Sequence, residues 1–145
     1  MNILIGYGIS PFYFGITEEE AITLQGNPSK KYQDEFEDIH VLYNELEITL
    51  KFEKDKNFRL GWIETSNTNL SFPEFSPWDM SQVDIITRLT QIVGELPHVE
   101  DYGSYQSITF NNAWLELQFV YDKLKQINFG VLSKDDKPVW PEKNE

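Results

Sequence analysis

The sequence contains no cysteine, and this absence excludes disulfide bonds, thiolate zinc sites and cysteine nucleophiles. It also has no apolar run approaching the roughly 18 residues that a membrane-spanning helix needs. The opening residues, MNILIGYGISPFYFG, lack a basic start and are interrupted by Gly6, Gly8 and Pro11, so we expect no secretory signal peptide. These absences predict a cytoplasmic protein with no membrane partner.

Basic residues are scarce, because 12 Lys and Arg stand against 24 Asp and Glu and give a net charge of −12. Nucleic-acid binding depends on Lys and Arg that neutralise phosphates, so we expect no nucleic-acid partner. An acidic surface speeds the encounter with a basic protein, although it also serves ordinary solubility. The 145 residues are 40% hydrophobic and 14% aromatic, which is enough to form one hydrophobic core without the support of disulfides or a metal.

The stretch ITEEEAITLQGNP, residues 16–28, has the marks of a short helix. Thr17 is a good N-cap, and Glu20 is placed to close a capping box onto its backbone amide. Gly26 is suited to a left-handed C-terminal conformation, and Pro28 prevents continuation. Glutamates in the first turn stabilise a helix N-terminus, which explains the three consecutive glutamates better than a catalytic role does.

A second helix of the same kind is predicted within residues 79–97. Ser81 is its N-cap, with Asp84 three positions later, and Gly94 and Pro97 mark its end. Apolar residues recur between them at helical spacing, over one turn more than in the first helix.

Alternating apolar and polar residues predict antiparallel strands after each helix, at 38–43, 46–52, 58–64, 105–110, 114–121 and 124–132. We therefore expect an α+β fold of two helix-plus-meander repeats, residues 10–72 and 76–132, which form one twisted sheet with both helices on one face. The repeats make a single domain, residues 1–132. The polar, proline-interrupted residues 133–145 are expected to form a loose C-terminal tail, which Trp140 can tether.

The repeated pattern of a hydroxyl cap, an acid, a glycine and a proline, followed by a tyrosine-bearing meander, carries a family resemblance. The residues are Gly15, Thr17, Gly26, Pro28, Tyr43 and Phe52 in the first copy, and Ser81, Gly94, Pro97, Tyr105 and Phe119 in the second. In these the chain resembles the tandem helix-and-sheet modules of beta-lactamase inhibitory proteins. It has no cysteine to form the disulfides of those secreted inhibitors, and we expect it to differ from them also in having no signal peptide. The resemblance implies an architecture for protein capture, and an acidic intracellular version looks like the immunity proteins that neutralise bacterial toxins.

Signatures of catalysis are few. His40 falls in a predicted strand, and His98 falls in a predicted loop, where Glu100 and Asp101 lie nearby without a recognised metal-ligand spacing. The glycines near the N-terminus do not form a phosphate-binding loop, and no serine stands in a nucleophile motif. We therefore expect no enzyme, no cofactor and no metal.

Ten residues are the candidates for binding a partner. They are the acidic group Asp34, Glu35, Glu37 and Asp38, the loop residues Glu100, Asp101 and Tyr102, and Trp114, Glu116 and Gln118 on a predicted solvent-facing strand surface. The acids also fit ordinary solvated loops. Trp114 equally fits a residue at a strand end that covers the rim of the sheet.

We expect a non-catalytic immunity protein or inhibitor that neutralises a basic bacterial toxin or nuclease by occluding its active site. One alternative is a small hydrolase or ligand-binding enzyme with a pocket between the repeats, using His98 and a carboxylate. Another is a structural subunit that oligomerises through its sheet edges.

Overall fold

The computed structural model describes residues 1–141 and contains two α-helices, one large antiparallel sheet and two short hairpins. In chain order the elements are β1 (Gly8–Ile9), β2 (Phe12–Tyr13), α1 (Glu18–Gln25), β3 (Lys30–Gln33), β4 (Ile39–Tyr43), β5 (Ile48–Phe52), β6 (Leu60–Thr65), α2 (Gln82–Val93), β7 (His98–Asp101), β8 (Gln106–Phe110), β9 (Leu115–Val120), β10 (Lys123–Gly130), β11 (Ser133–Lys134) and β12 (Lys137–Pro138). The fold class is therefore α+β, as predicted.

Helix α1 begins and ends where its sequence predicts. Thr17 Oγ1 accepts from the backbone N–H of Glu20 at 3.2 Å, and a Glu20 carboxylate oxygen accepts from the backbone N–H of Thr17 at 3.1 Å. The capping box is thus closed in both directions. Gly26 ends the helix with φ 94° and ψ −172°, which is a glycine conformation but not the predicted left-handed one.

Helix α2 follows the same rules over 12 residues instead of 8. Ser81 Oγ accepts from the backbone N–H of Asp84 at 3.2 Å, and Gly94 takes the left-handed conformation with φ 73° and ψ 24°. The helix buries Ile85 and Leu89. Both predicted helix ends are confirmed.

The large sheet has eight antiparallel strands in the order β3-β4-β5-β6-β10-β9-β8-β7. Strands β3 to β6 form one meander and β7 to β10 form another. The two meanders meet where β6 pairs with β10, in a register that sets Ile63 opposite Phe129. Strands β3 and β7 are the two free edges.

One face of the sheet supplies the core. Alternate residues of the inner strands are buried there, and residues of both helices and of the N-terminal segment join the same hydrophobic cluster. Examples are Leu50 of β5, Leu117 of β9, Ala21 of α1, Leu89 of α2 and Phe12 of β2. Complete burial of a leucine or phenylalanine side chain stabilises the fold by about 1.5–3 kcal/mol, so this cluster is the main stabilising element.

Two strands lie where no strand was predicted. Residues 30–33 and 98–101 are the edge strands β3 and β7, and every residue of both is exposed. An edge strand pairs on one side only, and without a buried face it shows no apolar alternation, which is the signal that sequence patterns detect. The expectation that His98 lies in a loop is therefore wrong.

The ends of β9 also differ from the prediction of a strand over 114–121. Trp114 and Tyr121 have φ of 51° and 50°, so each lies in a turn and the strand covers Leu115–Val120. Beyond β10, strands β11 and β12 form a hairpin, and Trp140 packs partly buried against the core. The rest of the segment expected to be a loose tail, residues 142–145, lies outside the described residues.

The capping box gives a direct test of how much the α1 terminus contributes. We expect Thr17→Ala to lower the free energy of unfolding by about 1 kcal/mol, because it leaves the backbone N–H of Glu20 without its acceptor. Thr23→Ala, on the same helix but exposed, should change it by less than about 0.5 kcal/mol. Urea denaturation of both variants measures this, and equal losses would contradict a specific role for the cap.

Candidate functional site

The face of the sheet opposite the core carries one unbroken row of paired residues across all eight strands. The row reads Lys30, Leu42, Thr49, Glu64, Asn128, Glu116, Thr109 and His98. Neighbouring strands lie about 4.8 Å apart, so the row spans roughly 33 Å. We call this surface the open face, and include in it the neighbouring Trp62, Gln118 and Gln126.

A hydrogen-bond network centred on Glu116 holds the middle of the open face. Its carboxylate accepts from Ser107 Oγ at 2.6 Å, from Asn128 Nδ2 at 2.9 Å and from Gln118 Nε2 at 3.2 Å. Asn128 is 2% exposed and Ser107 is 4% exposed, although both lie on the side away from the core. The predicted binding residues Glu116 and Gln118 therefore also order the sheet surface.

The network continues along β10, and β6 carries a separate hydrogen-bonded pair of side chains. Gln126 Nε2 donates to Asn128 Oδ1 at 2.8 Å, and the indole N–H of Trp62 donates to the Glu64 carboxylate at 3.2 Å. Each of these two pairs is thus held by its own hydrogen bond. The arrangement is a pre-ordered polar surface, and Thr49, Glu64 and Gln126 of this surface also line a cavity of about 380 Å³.

The predicted acidic group forms the β3–β4 turn, and Asp34 organises that turn. Its Oδ1 accepts from the backbone N–H groups of Phe36 and Asp38 at 2.9 and 3.0 Å, and its Oδ2 lies 2.7 Å from His40 Nε2. The His40 hydrogen bond is the main reason that the pKa of Asp34 lies below its usual value, and the two backbone bonds act in the same direction. The Tyr32 ring stacks on His40 at 4.6 Å.

The other acids of this turn contact lysines of the β5–β6 connection and of β5. Asp38 accepts from the backbone N–H of Lys54 at 2.9 Å and lies 3.8 Å from Lys51 Nζ, and Glu37 pairs with the Lys54 ammonium. Much of the acidic group therefore serves local structure. This supports the reading of these acids as turn residues.

The second predicted group lies along edge strand β7 and the turn after it. His98 Nε2 is 2.8 Å from Glu100 Oε1, and Asp101 Oδ1 accepts from the backbone N–H of Gly103 at 2.8 Å. Hydrogen bonds from Tyr102, and secondarily from His98, lower the pKa of Glu100, while the same contact with Glu100 raises the pKa of Tyr102. The Tyr102 ring stacks on Tyr105 at 5.2 Å.

The sheet topology keeps these two acidic groups apart. The β3–β4 turn and the β7–β8 turn lie at opposite edges and at opposite ends of the strands. Trp114 lies in the β8–β9 turn, at the same end as the β3–β4 turn but four to five strands away. Glu116 and Gln118 thus lie on the open face and the other eight predicted residues lie around it, so the ten do not form one patch.

Residues 1–141 contain no metal-binding cluster of acids and histidines, and His98 lies away from the two main cavities. Among residues 1–141 no group of three or more His, Asp or Glu side chains is arranged to hold a metal ion. His98 lines neither of the two main cavities, one of about 380 Å³ beside Glu64 and Thr65 and one of about 950 Å³ beside the helices. Neither described helix is long and apolar enough to cross a membrane.

Sequence reasoning missed the centre of the open face. Glu64, Asn128 and Ser107 were not among the candidates, although each is a polar residue at an outward position of a predicted strand. The available signal was Asn128 between Ile127 and Phe129, since a polar residue inside an apolar run has to find hydrogen-bond partners.

The network predicts that substitution of Glu116 lowers the stability of the fold by a measurable amount. Glu116→Ala should lower the free energy of unfolding by about 1–3 kcal/mol, because the buried Asn128 amide loses its acceptor. Glu116→Gln should lose less, since its amide oxygen is still able to accept from Asn128. Glu45→Ala, at an exposed acid outside the network, is the control and should stay within about 0.5 kcal/mol. Chemical denaturation of the three variants decides it, and an unaffected Glu116→Ala would refute the structural role.

The lowered pKa of Asp34 predicts that this residue contributes to stability in a pH-dependent way. Its folded pKa lies below the unfolded value, so its charged form stabilises the fold above the unfolded pKa, and this is lost as pH falls through the folded pKa. Asp34→Asn keeps the acceptor oxygen for the turn but removes the charge beside His40. It should be less stable than the wild type near neutral pH, and the difference should vanish in acid. Urea unfolding over that pH range tests this, with Glu35→Gln as a control whose difference should stay small throughout.

Comparisons with known proteins bear on the fold alone. No protein-family model matches the sequence, and no curated protein matches it. A solved structure of a DUF4309 family protein (YjgB) from Bacillus subtilis subsp. subtilis str. 168 is similar with a TM-score of 0.53 and 12% identity, over 87% of this chain and 88% of that chain. An extracellular protein containing a SCP domain from Bacillus anthracis str. Ames is similar with a TM-score of 0.53 and 10% identity, over 81% of this chain and 44% of that chain.

Proposed function

We propose that this is a non-catalytic protein-binding protein that captures a basic protein partner on the open face. In this proposal it acts as an inhibitor or immunity protein, and it neutralises a basic bacterial toxin or nuclease by covering its active site. A cytoplasmic location belongs to the same proposal, and the absence of cysteine fits a reducing compartment.

The observation that carries the proposal is the row of paired residues on the open face, whose centre is a hydrogen-bonded polar network around Glu116. Side chains that are already ordered lose little conformational freedom on binding, which lowers the cost of association. Glu116, Asn128 and Gln118 are held in this way before any partner arrives. A broad surface with this property suits a folded partner better than a small substrate.

The size of the open face indicates that a partner also contacts its rim. A row of roughly 33 Å and strands of about five residues give a projected area on the order of 500 Å². A standard interface buries about 800 Å² on each partner. The rim offers exposed aromatic side chains of the kind that anchor interfaces, namely Phe36 at 72%, Tyr102 at 56% and Trp114 at 42% exposed.

Charge supports a basic partner. The chain carries a net charge of −12, and Glu64 and Glu116 flank Asn128 at the centre of the open face. Such a field accelerates association with a positively charged protein at low salt and weakens as salt rises. A nuclease, which has to attract phosphate to its cleft, has the complementary charge.

The proposal includes two structural repeats of one helix and one four-stranded meander, with both helices on the core face. Support comes from corresponding positions in the row, which keep a nearly constant separation along the chain. Lys30 corresponds to His98, Leu42 to Thr109, Thr49 to Glu116 and Glu64 to Asn128. The two copies would place their meanders around the β6–β10 pair.

The decisive experiment is a comparison of charge-matched variants in affinity purification from the cells that make the protein. Wild type should retain one basic protein in near-equal amount at low and moderate salt, and that protein should harm cells that lack this chain. Glu64→Lys should lose the partner, because it reverses a charge at the centre of the open face. Asp79→Lys makes the same change in net charge on the connection before α2 and should retain it.

Two results would reject the proposal. Equal retention by Glu64→Lys and wild type, at both salt concentrations, would exclude the open face as the binding surface. Absence of any retained protein at either salt would exclude constitutive capture. Circular dichroism of each variant confirms that loss of binding does not reflect loss of folding.

A further inference from the structure

We propose that the cavity of about 950 Å³ beside the two helices binds an uncharged, apolar small molecule. The cavity is formed by the N-terminal segment, α1, the end of α2, residues 72–74 and Trp140. No residue of the open-face row lines it, so the site is separate from the proposed partner surface. Its volume falls in the range of about 300–1,000 Å³ that is typical of small-molecule sites.

The walls of the cavity are mainly aliphatic and aromatic. Tyr7, Tyr13, Leu24 and Ile92 are all exposed and all line this one cavity. Large apolar side chains that are exposed singly need no explanation, whereas several that share a concave wall mark a binding site. Covering them with an apolar ligand would remove this surface from water.

The charged groups of the cavity are few, and together they leave one net negative charge. Arg59 donates from Nη1 to the backbone oxygen of Gly15 at 3.0 Å, and the Glu20 carboxylate accepts from Thr17 in the capping box. One arginine and two glutamates, the second being Glu74, face the same space. A ligand with a full negative charge would meet the two carboxylates and the net charge of −12. A charged ligand of either sign would also lose its hydration against the mainly apolar walls, so the lining favours an uncharged molecule.

The position of the walls is fixed in the described structure. The capping box sets the start of α1, and Gly15 faces the Trp140 ring, where a Cβ would be in ordinary van der Waals contact with Trp140 Cε3 at 3.4 Å. The edge of the Phe14 ring meets Phe129 of the core at a centroid distance of 5.5 Å. A cavity with ordered walls from five chain segments is suited to a compact ligand more than to an extended peptide.

The test is a fluorescence titration of the whole purified chain with N-phenylnaphthylamine, an uncharged apolar probe that brightens out of water. We expect saturable binding of one probe per chain, and displacement by dodecanol. The pair Leu24→Gln and Ile92→Gln should weaken binding about tenfold, because both make the apolar wall polar. Val83→Gln makes a comparable change at an exposed site of α2 outside the cavity, and its affinity should equal that of wild type.

Each other outcome overturns the proposal. Non-saturable probe binding, or equal affinities for the lining pair and Val83→Gln, would mean that the cavity is not the site. Tighter binding of the anionic analogue anilinonaphthalene sulfonate would reject an uncharged ligand. A dimer in light scattering that the lining pair converts to monomer would show that a second copy of the chain covers the cavity. Unfolding transitions of all variants, measured in parallel, show whether a weakened affinity reflects a changed fold.

Discussion

The pairing of β6 with β10 is the constraint on which the rest of the structure depends. It joins two four-stranded meanders into one sheet, through a register in which Trp62 lies opposite Gly130 and Glu64 opposite Asn128. The Trp62 ring lies over Gly130, and a Cβ at that position would come within 2.7 Å of Trp62 Cε3. A slip of one residue would turn every side chain of a meander to the wrong face, so this contact fixes both the core and the open face.

The same pairing determines where charge can accumulate. With the seam at the centre, strands β3 and β7 become the two edges, and their turns lie far apart. Each turn then satisfies its own carboxylates, as Asp34 does with two backbone N–H groups and His40. Carboxylates that are hydrogen-bonded in this way act mainly on folding. The long-range field that a basic partner would meet comes instead from the whole surface of the chain.

The sequence predicted those parts of the fold whose signals are local. Both helices were predicted because their capping residues, Thr17, Ser81 and Gly94, form hydrogen bonds or turns with residues close to them in sequence. The inner strands were predicted because burial of one face makes apolar residues such as Leu115 and Leu117 alternate with polar ones. The edge strands were missed because no buried face marks them. At the candidate site, Glu116 and Gln118 were placed on the outward side correctly, while their partner Asn128 depends on a pairing between β9 and β10 that no local signal specifies.

The open face and the cavity lie on opposite sides of the sheet, with the side chains of Phe14 and Phe129 between the cavity and strand β10. Phe14 lines the cavity and its ring meets Phe129, while Asn128, the adjacent residue of β10, faces the opposite side. Because side chains along a strand point alternately to the two faces of the sheet, adjacent residues of β10 lie on different surfaces and share one backbone. A ligand that fits the existing cavity leaves Phe14 in place and has no differential interaction with two states of the sheet, so it would not alter the open face. Only a ligand large enough to displace Phe14 would act on the strand that carries Asn128, and close packing of the core opposes that displacement.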